Sequence, residues 1–138
     1  LLEETKATQM SDSRNLGGLI VLVVEDEFWI RSTMVAYLQE LGCVVYEAET
    51  GETAIALLDQ GQPIDIVFTD IRLGGRLSGW DVAEAFRAMR TDFPIIYTSG
   101  NAIKPARPVS GSLYLRKPYQ AAEVLNACVQ LNPATRAH

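Results

Sequence analysis

The sequence predicts an α/β domain built on a doubly wound, five-stranded parallel sheet. Short apolar runs alternate five times with segments of helical period, the pattern of repeated βα units. The first run, Leu19 to Val24, is continuously apolar, and the third, Ile64 to Thr69, is mostly so, as strands covered on both faces are. Both end abruptly in carboxylate, at Glu25-Asp26 and at Asp70, as buried strands do where they reach a solvent-facing rim. The chain has 138 residues, enough for one domain with a real core and too few for two. A composition of 48% hydrophobic and 21% charged residues suits a folded domain rather than a disordered chain.

Taken in order, residues 1–18 are polar, end in Gly17-Gly18, and predict a mobile leader. The domain is expected over residues 19–131, with 132–138 as a tail closed off by Asn132-Pro133. Leu19 to Val24 forms the first strand. Residues 27–41 follow as a helix, with Phe28, Met34, Val35, Leu38 and Leu41 near a 3.6-residue period and Gly42 ending it. Val44 to Ala48 is the second strand. Thr50 caps a helix over 51–60 that turns Ala54, Leu57 and Leu58 inward. Pro63 precedes the third strand, Ile64 to Thr69, and a loop with Gly74, Gly75 and Gly79 follows. Ser78 with Asp81 three residues later is the signature of a capping box for a helix over 79–91. Pro94 opens the strand Ile95 to Thr98. Between Thr98 and Ser112, Pro105, Pro108 and two glycines suit a helix badly, so one or two turns at most are expected there. Ser112 to Leu115 is the last strand and residues 119–130 the last helix, with Val124, Leu125 and Cys128 inward.

Bulk properties exclude several classes of function. A net charge of −5 disfavours nonspecific binding to nucleic acid or to an acidic membrane. No apolar stretch approaches the roughly 20 residues that span a bilayer, and no secretory signal pattern opens the chain. Cys43 and Cys128 read as two buried thiols in a reducing, cytoplasmic compartment. The sole histidine is His138, so a histidine-based metal site or phosphocarrier is not expected. Trp29 and Trp80 read as packing residues, Trp29 also as a possible neighbour of the acidic site. Lys104, Arg107 and Arg116 read as a solvated basic face, or as contacts for an acidic partner.

In a parallel sheet with helices on both faces, the strands' carboxyl ends share one edge, and ligands bind there. That edge gathers Glu25, Asp26 and Asp70, with Lys117 of Arg116-Lys117-Pro118 as the nearby cation. Carboxylates crowded at one site repel each other, and a bound divalent cation is the simplest explanation. Taken singly, each residue has a plainer reading. Glu25 and Asp26 can favour the following helix's N-terminus, and Asp70 can shape a turn. Thr98 can be an ordinary strand-end hydroxyl, Tyr114 a packing residue, and Lys117 a solvated charge.

An acidic pair after strand one, an aspartate after strand three, a threonine after strand four and Lys-Pro after strand five occur here in order. Over residues 19–131 the chain thereby resembles the receiver domain of two-component response regulators. The resemblance implies a flavodoxin-like sheet in the order 2-1-3-4-5. It implies that Asp70 accepts a phosphoryl group, that Glu25 and Asp26 hold Mg²⁺ together with Asp70 and the Arg72 carbonyl, and that Thr98 senses the phosphoryl group. Lys117 would be the site's cation, aimed by a cis bond to Pro118, and Tyr114 the aromatic switch that turns inward on activation. The donor would be a phosphohistidine on a sensor histidine kinase or a histidine phosphotransfer protein, and the output an altered affinity for a protein partner. The domain would catalyse its own phosphorylation and slow dephosphorylation without being a turnover enzyme. No second domain is evident in these residues to read a DNA groove.

Two departures from the family pattern stand out. The loop after Asp70, Ile71-Arg72-Leu73-Gly74-Gly75-Arg76-Leu77-Ser78-Gly79, lacks the family's frequent proline and runs about one residue long. The segment from Thr98 to Tyr114 is short, and Tyr97-Thr98-Ser99-Gly100-Asn101 resembles a subgroup whose fourth helix is reduced or replaced by loop. That leaves the dimer mode and oligomeric state open. Two other readings remain: a pseudo-receiver that binds partners without phosphate, and a haloacid-dehalogenase-type hydrolase. The latter requires a second aspartate two residues after the nucleophile, where Arg72 stands.

Overall fold

The computed structural model describes residues 16–100 and 107–132. Five strands, β1 (Ile20–Val24), β2 (Val44–Ala48), β3 (Ile66–Asp70), β4 (Ile95–Ser99) and β5 (Leu113–Arg116), form one sheet in the order β2-β1-β3-β4-β5. Every pairing is parallel. Among the described residues four helices connect or follow the strands: α1 (Phe28–Glu40), α2 (Gly51–Asp59), α3 (Gly79–Met89) and α4 (Ala121–Leu131). The order reverses direction at β1, so β1 and β3 stand side by side with their carboxyl ends at a topological switch point.

The sheet is buried on both faces, which is why its central strands carry no polar alternation. Val21 and Val23 point to one side, where they join Met34 and Leu38 of α1 and Val124 and Cys128 of α4. Leu22 and Val24 point to the other, where they join Ala54 of α2 and Val82, Ala83 and Phe86 of α3. Successive residues of one strand thus feed two separate cores. Both cysteines are buried free thiols, as expected. Burial pushes Cys43 up to about 11 and Cys128 up to about 12, so neither is a nucleophile near neutral pH.

The expected helix signals are present. Thr50 Oγ1 accepts from Thr53 N–H at 3.1 Å. Ser78 and Asp81 form the reciprocal capping box, with Ser78 N–H donating to Asp81 Oδ2 at 2.8 Å. Gly42 ends α1 with φ +90°, a conformation that favours glycine. Three expectations need correction. Phe28 is 59% exposed despite its place in the helical period, and its ring meets Trp29 edge-on and the Arg31 guanidinium rather than the core. Trp29 is 79% exposed and is no core packing residue. Packing also reaches back to Leu16, which is fully buried against the α1 and α4 side. Leu19 N–H donates to the Leu16 carbonyl at 3.0 Å, and Gly18 N–H to the Gly42 carbonyl at 3.1 Å.

The described parts of the β4–β5 connection, residues 100 and 107–112, carry no helix. Residues 101–106, on which part of that expectation falls, lie outside the described residues, as do 1–15 and 133–138. The end of the connection is strapped to the body at two points. Arg107 bonds Glu84 Oε1 at 2.6 Å and Asp81 Oδ1 at 3.2 Å on α3. Val109 N–H donates to the Tyr97 hydroxyl at 3.1 Å, and the Tyr97 ring lies 4.7 Å from that of Trp80.

Candidate functional site

The carboxyl ends of β1 and β3 bring Glu25, Asp26 and Asp70 together. One carboxylate oxygen from each lies within 4.8 Å of the other two. Glu25 and Asp70 are buried, and Asp26 is more open to solvent. Lys117, delivered by the end of β5, bridges the two buried acids. Its Nζ donates to Glu25 Oε1 at 2.6 Å and to Asp70 Oδ2 at 3.2 Å. The Lys117–Pro118 bond is cis. Asp70 Oδ1 accepts weakly from Arg72 N–H at 3.4 Å. Glu25 Oε2 accepts from Glu27 N–H at 3.1 Å, so this carboxylate also takes up an unsatisfied donor at the start of α1.

An open pocket of about 420 Å³ gives access to the cluster, lined by Asp26, Glu27, Ile30, Asp70, Arg72, Gly100 and Lys117. Thr98 and Tyr114 stand back from it. Thr98 is buried at the ladder position directly beside Asp70, and its carbonyl accepts from Ile71 N–H at 3.0 Å. Tyr114 is half-buried beside Tyr97 in the β4–β5 ladder. A second, largely apolar pocket of about 400 Å³ adjoins the site, lined by Trp29, Ile30, Thr33, Tyr37, Lys117, Pro118 and Tyr119.

The electrostatics are unbalanced toward negative charge. Burial pushes the Glu25 carboxyl up to about 7, and the hydrogen bonds from Lys117 and Glu27 N–H only partly oppose it. Burial also works against the Lys117 ammonium. The hydrogen bond to Glu25 and the charges of Asp70 and Glu25 outweigh that effect and hold its pKa above the ordinary lysine value. The cation is therefore fixed and the acids share it. Three carboxylates facing one ammonium retain capacity for a further positive charge.

The donor set fits Mg²⁺. The ion takes oxygen ligands at about 2.0–2.1 Å, so ligands opposite each other stand about 4.2 Å apart. Acid oxygens within 4.8 Å of one another approach that span, and Mg²⁺ keeps waters that make up the difference. Asp26 and Asp70 both line the open pocket. Glu25 is engaged by Lys117 and does not line that pocket.

Two features of the site were not singled out from sequence. Gly79, the first residue of α3, lies so close to β3 that a Cβ there would stand 2.1 Å from the Asp70 carbonyl oxygen. Ser-Gly at a helix start is the only trace of this in the sequence. Arg31, one and a half turns beyond Glu25, reaches back to bond the Glu25 carbonyl at 2.7 Å.

Comparison with known proteins agrees with this geometry. The chain belongs to the response regulator receiver domain family, whose description matches residues 21–129. It is 31% identical over 116 residues to protein PilG of Pseudomonas aeruginosa, covering 80% of this chain and 84% of PilG. It is 32% identical over 118 residues to a probable transcriptional regulatory protein of Picosynechococcus, covering 78% of this chain and 47% of that protein. It thus spans about half the length of that relative, and 10% of the sensor kinase CckA of Brucella abortus, to which it is 34% identical over 98 residues. Among solved structures, a response regulator receiver protein from Sinorhizobium medicae superposes with a TM-score of 0.79 at 33% identity, covering 83% of this chain and 94% of that one. The receiver domain of a sensor histidine kinase from Pseudomonas aeruginosa, solved with a magnesium ion in its active-site cleft, gives 0.73 at 27% identity, covering 83% and 98%.

Proposed function

We propose that this receiver domain accepts a phosphoryl group on Asp70 from a phosphohistidine, in a Mg²⁺-dependent reaction, and thereby changes its affinity for a protein partner. The observation that carries this is the Asp70 carboxylate itself. It is buried, it lies 3.2 Å from the Lys117 ammonium, it belongs to a three-carboxylate cluster, and it faces an open pocket. An Asp70 oxygen attacks phosphorus in line, the phosphorus–nitrogen bond to the donor imidazole breaks, and an acyl phosphate forms on Asp70. Lys117 Nζ neutralises charge that develops on the transferring oxygens. Glu25, Asp26, Asp70 and the Arg72 carbonyl would hold Mg²⁺, which would supply further charge neutralisation for the phosphoryl group. Thr98, beside Asp70 in the ladder, then donates a hydrogen bond from its hydroxyl to a phosphoryl oxygen. That motion biases an existing equilibrium of the β4–β5 connection, with Tyr114 moving into the vacated space.

The donor is a sensor histidine kinase or a histidine phosphotransfer protein. The apolar pocket bounded by Trp29, Tyr37 and Tyr119 beside Lys117 suits a helical protein surface. No helix among the described residues is long and apolar enough to cross a membrane. Two buried thiols, together with a kinase donor, support the cytoplasm as its location. We take the packed unit, Leu16 to Asn132, as the receiver and the flanking segments as its leader and tail.

The test is titration with Mg²⁺ and then beryllofluoride, read by amide shifts, with Asp70→Asn as control. Saturable responses to both in the native chain, with the beryllofluoride response lost in Asp70→Asn, support the reading. A chain that binds neither is a phosphate-independent module. Equal beryllofluoride responses in both proteins remove Asp70 from its role.

A further inference from the structure

We infer that Arg31 is a positioning residue for the acidic cluster, and that it acts by fixing the peptide plane between Glu25 and Asp26. The inference rests on the metal-binding reading above. The Arg31 side chain is only 13% exposed and reaches in two directions. Its Nη1 donates to the Glu25 carbonyl at 2.7 Å, and its Nε to Glu47 Oε1 on β2 at 3.1 Å. Its own N–H donates to the Glu27 carbonyl at 2.9 Å in the first turn of α1. One guanidinium thus ties the start of α1 and the edge strand β2 to the peptide that joins the two adjacent acids.

That peptide is where control is needed. Glu25 N–H is already held by the Ala48 carbonyl at 3.0 Å, the last bond of the β1–β2 ladder. Past it the chain leaves the sheet, and the Glu25 carbonyl is the first acceptor that the ladder does not hold. Rotation of this peptide would swing Asp26 relative to Glu25 and Asp70 and break up the oxygen cluster. A short, charge-assisted bond from a planar fork anchored at its other side by Glu47 resists that rotation. Lysine has one ammonium and cannot hold both partners with the same geometry.

The sign of the effect separates positioning from simple charge. A cation acting only through its field would repel Mg²⁺, so neutralising it would tighten metal binding. A residue that holds the ligands in place does the opposite. Loss of partners that orient metal ligands typically weakens affinity by about 10- to 100-fold.

The experiment compares the native chain with Arg31→Gln, Arg31→Lys and Glu47→Gln, with Arg107→Gln on the far surface as control. Mg²⁺ affinity is measured by amide shifts, the metal-free Glu25 carbonyl by its ¹³C shift, and stability by thermal melting. Weakening of Mg²⁺ binding by about 10-fold or more is expected for Arg31→Gln. Arg31→Lys should recover part of that loss, and Glu47→Gln should show a smaller loss. The Glu25 carbonyl resonance should move upfield in Arg31→Gln without metal present. Tighter Mg²⁺ binding in Arg31→Gln would overturn the inference in favour of a field effect. A lower melting temperature with unchanged Mg²⁺ affinity would reduce Arg31 to a structural residue. If Arg31→Gln does not fold, Arg31→Lys and Glu47→Gln decide, and native affinity in both overturns the inference. Failure of the native chain to bind Mg²⁺ at all would instead refute the metal-binding reading.

Discussion

Gly79→Ala tests how the phosphoryl-acceptor strand is held in place. The added Cβ would lie 2.1 Å from the Asp70 carbonyl oxygen and 2.9 Å from both the Asp70 carbonyl carbon and Ile71 Cα. All three are backbone atoms, so no side-chain rotation relieves the contact. Carbon and oxygen rest about 3.3 Å apart even in close Cα–H···O contacts, so the start of α3 and the end of β3 must separate by about 1 Å. The bond from Gly79 N–H to the Ile71 carbonyl, 2.8 Å long, then stretches. Weakening that bond costs about 1 kcal/mol, and disturbing the Ser78–Asp81 cap about 1 kcal/mol more. Shifting Val82, Ala83 and Phe86 off their packing on the sheet adds about 1 kcal/mol or more. The sum, about 3 kcal/mol, lowers the melting temperature of a domain this size by about 10 °C. Misplacing a reacting group by about 1 Å costs roughly a hundredfold in rate, which sets the expected loss in Asp70 phosphorylation by a small acyl-phosphate donor. Gly100→Ala is the matched control. Gly100 also lines the pocket, but a Cβ there meets nothing within 4 Å. Gly79→Ala with native melting and native phosphorylation would refute the reasoning.

Two further outcomes follow from the charges. Lys117→Met removes the ammonium that competes with a metal for Glu25 and Asp70, so Mg²⁺ affinity in calorimetry should hold or rise. The rate of phosphoryl transfer should nonetheless fall by about 10²–10³, the usual loss when a charge-stabilising donor is removed; parallel losses in both would contradict this division of roles. The Glu25 carboxyl rises from 4.5 to about 7 in the metal-free fold, so between those values the folded chain binds more protons than the unfolded one. Its contribution to stability therefore falls as pH rises through that window, by up to about 3 kcal/mol. Melting of the metal-free protein should fall from pH 4.5 to 7, less so in Glu25→Gln, and saturating Mg²⁺ should oppose the trend by favouring the ionised acid. An identical pH slope in Glu25→Gln would assign it to other groups.

The sheet was legible in the sequence because parallel strands covered on both faces leave continuous apolar runs, and because Glu25 and Asp70 mark where two of them surface. The caps at Thr50 and Ser78 were legible for a local reason: a side chain and a backbone N–H within one turn decide them. The exposure of Phe28 and Trp29 was not legible, because helical period and side-chain size show which residues could pack but not which of them meet a neighbour. Gly17-Gly18 looks like a boundary and hides Leu16 from a sequence reading, yet the chain turns there and packs back. Gly79 against the Asp70 carbonyl and Arg31 against the Glu25 carbonyl each join a helix to the end of the strand before it through loop geometry that follows no repeating pattern, so no spacing rule exposes them. The convergence of Asp70 and Lys117 was legible only through topology, since 47 residues separate them.

The central claim is that one carboxylate in this chain becomes an acyl phosphate. Incubation with Mg²⁺ and a phosphohistidine donor, followed by intact-mass measurement and peptide mapping after borohydride reduction, tests it most directly. The account predicts the addition of one phosphoryl group, lost on hydroxylamine treatment, mapped to Asp70, and absent both in Asp70→Asn and without metal. A stable modification elsewhere, or none in a chain that binds Mg²⁺, would contradict it.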